Sequence, residues 1–155
     1  MPRKSFICGA LLRLKKEFPE DFQYSSLYLT DPYLHLQQPS YYNCCAGLKT
    51  SLAPRDLLGV CQALEREFGR VRSNEGWQSR TIDIDILLYG ERRIAEAGLV
   101  VPHYDLENRD FFLIPLLELN AGLKHPVGGE SVVTLLEALS PEKRTYPQKL
   151  LKPVL

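Results

Sequence analysis

A chain of 155 residues that is 45% apolar can bury a full core in one domain without disulfide staples. Its 19 basic and 19 acidic residues cancel, which excludes a global field for nucleic acid or an anionic membrane and leaves any anion site to a local cluster. No apolar run reaches membrane-spanning length, and Met1-Pro2-Arg3-Lys4-Ser5 leads into no convincing signal peptide, so a cytoplasmic chain is expected.

Cys8, Cys44, Cys45 and Cys61 show no CxxC or Cys/His ligand spacing, and His35, His103 and His125 form no zinc motif. Reduced thiols are therefore expected. From Phe6 to Phe18, Ala10, Leu11, Leu14 and Phe18 recur at three and four, predicting an amphipathic helix stopped by Pro19. Phe22 to Thr30 is aromatic-rich and predicts a strand. Asp31 to Ser40 has two prolines and no period, which makes it a loop and a candidate substrate lid.

Tyr41 to Thr50 alternates Tyr42, Cys44, Ala46 and Leu48 against Tyr41, Asn43, Cys45 and Gly47, as a strand does. If the first set faces the core, Tyr41 and Asn43 lie together on the other side. An amide beside a phenol ring suits a flat heteroaromatic molecule, and equally suits an ordinary polar sheet edge. Pro54 opens a helix with Leu57, Cys61, Leu64 and Phe68 on one face, and Gly69 closes it. Gln62 and Glu65 sit one turn apart on this helix and can act on one ligand or simply face solvent.

The most informative stretch is Arg80-Thr81-Ile82-Asp83-Ile84-Asp85-Ile86-Leu87-Leu88-Tyr89-Gly90. As a strand it puts Asp83 and Asp85 on one face, about 7 Å apart, and Ile82, Ile84 and Ile86 on the other. Paired carboxylates suit magnesium, which completes its shell with water and substrate phosphates, although an acidic strand edge can also be merely solvated. Just upstream, Arg70, Arg72 and Arg80 surround Gly76 and Trp77. Guanidinium forks match phosphate oxygens. A structural salt-bridge lattice is the alternative, but exposed bridges contribute only about 0 to 1 kcal/mol each and would not require this density.

Leu99-Val100-Val101 predicts a short strand ending at Pro102, with His103 and Tyr104 just beyond it, positioned to touch a ligand or to cap a turn. Leu106 to Leu119 is helical in period, with Arg109 outward and a split expected at Pro115. Ser131 can cap a helix running to about Leu139, and 141–155 is expected as a weakly ordered tail. The mixture of elements predicts one α+β domain over 1–155, a mainly antiparallel sheet with helices packed on one side.

Trp77-Gln78-Ser79-Arg80-Thr81-Ile82-Asp83-Ile84-Asp85-Ile86-Leu87-Leu88, preceded by Glu65 and Gly69-Arg70-Val71-Arg72, closely resembles the signature of the 6-hydroxymethyl-7,8-dihydropterin pyrophosphokinases. The likeness runs from about Gly9 to Leu136. It includes Ser25-Ser26-Leu27-Tyr28, Gln38-Pro39-Ser40-Tyr41-Tyr42-Asn43, Val101-Pro102-His103-Tyr104 and Asn108-Arg109.

The resemblance implies a ferredoxin-like α+β sandwich and transfer of diphosphate from ATP to the pterin hydroxymethyl group, giving AMP, in folate synthesis. It implies that Asp83 and Asp85 bind two magnesium ions. Arg70, Arg72, Arg80, His103, Tyr104 and Arg109 would hold the nucleotide, with Gln62, Glu65 and Ile86 lining its site. Arg70, Arg80, Asp83 and Asp85 would be the catalytic set. Thr30, Tyr33, Tyr41, Asn43 and Phe111 would form the pterin pocket, and Trp77 would belong to a loop closing over it.

Small-molecule partners and a monomer are expected. Nothing resembling the family's opening strand, which ends in Gly-Ser-Asn, precedes the first helix, and Asp31, Gly98 and Val100 depart from the family's usual residues. The competing readings are a truncated or degenerate homologue that binds ligand without turnover and, from Asp-x-Asp alone, a metal-dependent nucleotide-sugar transferase.

Overall fold

A computed structural model describes residues 4–30, 40–69 and 82–155. Helix α1 (Lys4–Glu17) buries Ile7, Ala10, Leu11 and Leu14, and Lys15 and Lys16 in its last turn oppose the carbonyl end of the helix dipole. Helix α2 (Pro54–Gly69) opens on proline, with Asp56 in its first turn and Arg66 in its last. Its buried stripe is Leu57, Cys61 and Leu64. The two helices touch at Gly9, where a Cβ would lie 2.6 Å from Phe68 Cε1, so the missing side chain is what permits the contact.

The strands predicted over Phe22 to Thr30 and Tyr41 to Thr50 are each interrupted. They appear as β1 (Gln23–Tyr24), β2 (Tyr28–Thr30), β3 (Tyr41–Asn43) and β4 (Ala46–Gly47). Tyr24 pairs with Ala46 and Tyr28 with Asn43, so Ser25, Ser26 and Leu27 face only Cys44 and Cys45. That extra residue is a β-bulge. Ser25 stabilises it: its N–H donates to Cys45 O (2.8 Å), while its Oγ accepts from the Cys45 N–H (2.9 Å) and donates to Ser26 O (2.8 Å).

Segment 82–89 keeps the predicted alternation, with Ile82 buried and Asp83 and Asp85 exposed. The strand expected over Arg80 to Gly90 is nevertheless not formed, since no ladder reaches 82–89 among the described residues. Packing holds it instead. Ile82 and Ile84 lie against the α1 cluster, Ile84 and Ile86 against the α1–α2 cluster, and Leu87 and Leu88 against a third cluster built from α3 (Asp110–Leu119) and α4 (Val132–Glu137).

Helices therefore cover both faces of the strands rather than the single side expected. Tyr42, Cys44 and Ala46 meet the α1 side, whereas Cys45 and Leu87 meet the α3 side and need cover there too. The α+β class itself stands, with antiparallel pairing throughout the described strands. Strands β5 (Ile94–Glu96) and β6 (Leu99–Val101) form a hairpin turning at Gly98, whose φ of 77° favours glycine.

The split expected at Pro115 falls earlier. A 3-10 turn (Leu106–Asn108) is followed by extended Arg109 (φ −126°, ψ 106°), and α3 then runs on through Pro115. Burial of the proline ring offsets the helical hydrogen bond it removes. Ser131 caps α4 as expected, its Oγ accepting from the Thr134 N–H at 3.1 Å.

The stretch beyond Pro141 makes contacts that its sequence did not announce. A 3-10 turn (Pro141–Lys143) leads to fully buried Thr145, then to β7 (Gln148–Lys149), which pairs antiparallel with β2. Leu151 and Val154 beyond it are exposed.

Candidate active site on one face of the strands

Strand pairing sets one half of the site. Thr30 faces Tyr41 and Tyr28 faces Asn43 across the β2–β3 ladder. Thr30 is fully buried, and its Oγ1 accepts from Asn43 Nδ2 at 3.2 Å. The Tyr41 ring meets the Phe111 ring edge-on at 5.9 Å between centroids. Burial pushes the Tyr41 hydroxyl pKa up; the Arg109 charge pulls it down and the Asp110 charge adds to the rise, so at neutral pH the group remains a donor. Thr30, Tyr41, Asn43 and Phe111 together give aromatic surface with neutral donors and acceptors.

The backbone of 82–89 sets the other half. The His103 N–H donates to Leu87 O at 2.9 Å, which anchors the exit of β6 two residues along from Asp85. His103 Nε2 then lies 4.0 Å from Asp85 Oδ1. Burial lowers the His103 pKa, the Asp85 charge works against that, Arg109 lowers it further, and the net direction is down, so the ring is neutral and the contact is not an ion pair. Nδ1 accepts from the Asp105 N–H at 3.1 Å, which assigns the ring proton to Nε2, on the Asp85 side.

Arg109 joins the halves. Its Nε donates to Asp105 Oδ2 at 2.7 Å, and its Cζ lies 5.9, 5.6 and 5.2 Å from the ring centroids of Tyr104, Phe111 and Phe112. Burial acts to raise the Asp105 carboxyl pKa, but the bonds from Asn108 and Arg109 outweigh it and hold the group below its usual range. Tyr104, largely exposed, stacks on His103 at 4.6 Å, and Phe112 meets the same imidazole edge-on at 4.9 Å.

Glu65 is half-buried and Gln62 exposed on α2. The neighbouring Cys61 thiol, pushed up to about 11 by burial first, also feels the Glu65 and Asp85 carboxylates. Ile86 turns the other way, into the packing between α2 and the β5–β6 hairpin. Tyr33, Arg70, Arg72, Trp77 and Arg80, with both candidate lid loops, lie outside the described residues apart from Ser40.

Sequence reasoning gave no role to Asp105, Phe112 or Asp110. The i,i+4 spacing of Asp105 and Arg109 was a usable signal for the first. Among the described residues no three His, Cys, Asp or Glu side chains converge on a metal position. Two exposed carboxylates on one face fit magnesium, which takes few protein ligands and fills its octahedron with water and phosphate oxygens.

The class so defined is an α+β domain that presents an acidic pair, a neutral histidine and an arginine beside a cluster of aromatic and amide side chains. The sequence profile of the 7,8-dihydro-6-hydroxymethylpterin-pyrophosphokinase family matches residues 1–121, and the chain belongs to that family. Three proteins, each called 2-amino-4-hydroxy-6-hydroxymethyldihydropteridine pyrophosphokinase, are similar to it. The one from Synechocystis sp. is 40% identical over 100 residues, covering 64% of this chain and 51% of that protein. The one from Pseudomonas aeruginosa is 47% identical over 104 residues, 67% of this chain and 64% of that protein. The one from Aquifex aeolicus is 37% identical over 151 residues, 97% and 87% respectively. The match thus spans about half of the Synechocystis protein and under two thirds of the Pseudomonas one.

Proposed function

We propose that this chain transfers diphosphate from ATP to the hydroxymethyl oxygen of 6-hydroxymethyl-7,8-dihydropterin, giving AMP and the pterin diphosphate. The observation that carries the reading is an unbroken run of contacts, Asp85 to His103, His103 to Phe112, Arg109 over Phe111, Phe111 to Tyr41. It joins a cation and phosphate end to a flat-ring end on one face. Family membership and the names of the similar proteins support the same substrates.

In this mechanism the hydroxymethyl oxygen forms a bond to the β-phosphorus. The bond from that phosphorus to the bridging oxygen breaks, its electron pair leaves on AMP, and the hydroxyl proton passes to solvent. Such transfers need positioning and charge neutralisation more than covalent help, and no covalent enzyme intermediate is involved.

Asp83 and Asp85 would hold magnesium, two ions as the family resemblance implies, which would supply Lewis-acid polarisation of the phosphates when bound. His103 offers its Nε2–H to a phosphate oxygen. Arg109, fixed by Asp105, stabilises charge that develops on the leaving side, with Arg70, Arg72 and Arg80 assigned to the same task from sequence. Tyr104, Gln62 and Glu65 line the nucleotide end, whereas the Ile86 side chain, packed between α2 and the β5–β6 hairpin, does not; Thr30, Tyr33, Tyr41, Asn43 and Phe111 receive the pterin and Trp77 closes over it.

We read the protein as a cytoplasmic monomer acting on small molecules, without nucleic-acid or membrane partners. Zero net charge gives no overall attraction to nucleic acid or an anionic membrane, and among the described residues no helix is long and apolar enough to cross a membrane. The test is AMP formation from ATP, strictly dependent on both the pterin and magnesium; release of ADP instead would overturn diphosphate transfer.

A further inference from the structure

The chain from Pro141 to Lys149 lies beyond the residues matched by the family profile, yet it grips the turn that carries Arg109 and Phe111. Asp110 sits between those two residues and is 2% exposed. Its Oδ1 accepts from Thr145 Oγ1 at 2.5 Å, and its Oδ2 accepts from the N–H groups of Thr145 (2.8 Å) and Tyr146 (3.1 Å). Tyr146 is held at φ 50°, a left-handed conformation that non-glycine residues rarely adopt without local support. A second grip lies one turn earlier. Lys143 Nζ donates to Asn108 Oδ1 at 2.7 Å, and Asn108 Nδ2 donates to Asp105 Oδ1 at 2.9 Å, on the carboxylate that holds Arg109.

We propose that Pro141–Lys149 is a brace for the site, with Asp110, Thr145 and Lys143 as positioning residues. The brace rests on the pyrophosphokinase reading for its effect on turnover, but not for its effect on the turn itself. Arg109 is the extended residue between a 3-10 turn and α3, and its carbonyl accepts the first helical bonds from the Phe112 and Leu113 N–H groups (3.0 and 3.1 Å), so wherever α3 begins Arg109 is placed with it. The buried carboxylate next to it, bonded three times by the far end of the chain, sets where α3 begins. Arg109 and Phe111 both start from that point, the guanidinium bonded to Asp105 and lying 5.6 Å from the Phe111 ring, and that ring in turn meeting Tyr41. Lys143 acts through Asn108 and Asp105 on the guanidinium alone.

Thr145→Val removes the hydroxyl donor at nearly constant volume, and Thr145→Ser restores it. In the full chain, amide hydrogen exchange over 105–112 should quicken in T145V by about tenfold to a hundredfold, the loss expected for a hydrogen bond to a buried charge. Exchange in α1 and α2 should stay unchanged. KM for both ATP and the pterin should rise, and T145S should return all three readings toward the parent. Lys143→Met should raise KM for ATP and leave that for the pterin alone.

Unaltered exchange over 105–112 in T145V, acceleration spread evenly over the chain, or failure of T145S to restore it would overturn the brace. So would a K143M effect that falls on the pterin or on neither substrate. Should the parent chain make no AMP, the pyrophosphokinase reading fails, and the exchange comparison still decides whether the brace exists.

Discussion

Under α1 and α2 the strands meet a layer of Ile7, Leu11, Leu14, Leu57, Leu64 and Ile82, apolar residues from three stretches of chain interlocked without a polar group among them. On the opposite face, under α3, the apolar cluster of Leu106, Leu113 and Leu116 is bordered by groups that hydrogen-bond across long sequence distances. Glu118 reaches Ser26 and Tyr28, Asp110 reaches Thr145, and Lys143 reaches Asn108. The first face is held by area removed from water, which tolerates small shifts. The second depends on directional bonds, and it is the face that carries the candidate site. Ligand geometry is thereby assigned to one side of the layer, while the other contributes stability alone.

Substitution at the acidic pair should separate the two most widely. Asp85→Asn removes a charge from an exposed position, so unfolding free energy should move by no more than about 0.5 kcal/mol. AMP formation should fall by about a thousandfold, or ~4 kcal/mol in the barrier. Steady-state assays beside urea titrations measure both quantities in one preparation. A parallel collapse of stability would mean the acidic face also holds the fold.

The reverse pattern is expected from Leu64→Ala. Leu64 is 3% exposed in the α1–α2 cluster, and its truncation should cost about 3 kcal/mol of unfolding free energy. Under conditions where the variant remains folded, kcat should be close to the parent's; a loss there would show that the two faces are coupled. Arg109→Lys keeps the charge but gives up the fork that Asp105 and the three rings hold. Its kcat/KM should drop about tenfold to a hundredfold, the range for a lost hydrogen bond between charged groups. Equal loss in a T145V background and in the parent would dissociate Arg109 from the brace.

Legibility in the sequence follows the same division. Apolar spacing is local, so the stripes of α1 and α2, the cap at Ser131 and the β6 span Leu99–Val101 could all be read one residue after another. Hydrogen bonds between distant positions leave no period. Nothing near Ser25 announces that its hydroxyl will replace a ladder bond, nothing near Asp110 points to Thr145, and the proline at 115 drew attention from the real break at Arg109. Segment 82–89 is intermediate: alternation located its two faces, but a ladder depends on a neighbour that alternation does not supply. The residues of the site were legible as chemical types, and their grouping through His103, Phe112 and Arg109 was not.

Glu118 gives the smallest and most discriminating effect. Its carboxylate accepts from the Ser26 N–H (2.5 Å), the Tyr28 hydroxyl (2.9 Å) and Lys149 Nζ (3.2 Å), tying α3 to the bulge, to β2 and to β7. Burial acts to raise the Glu118 pKa, and these bonds overcome it and lower it below the ordinary value. A depressed folded-state value contributes stability above the unfolded-state value, near pH 4.3, and loses it as pH falls through the folded one. Tyr28 is shifted the opposite way, from 10.0 up to about 12, by burial first and then by the bond to Glu118 and its charge. A raised value contributes stability below about pH 10 that disappears as pH climbs toward the folded-state value. One contact therefore shapes both limbs of the profile. Glu118→Gln should lower stability at neutral pH by about 1 to 3 kcal/mol, because a neutral amide must meet three donors with one acceptor. It should also flatten the acid limb and make the alkaline limb shallower, though burial would still keep Tyr28 above its ordinary value. Denaturant titrations from pH 3 to 11 would read both limbs; an acid limb identical to the parent's would remove Glu118 as the tie between α3 and the strands.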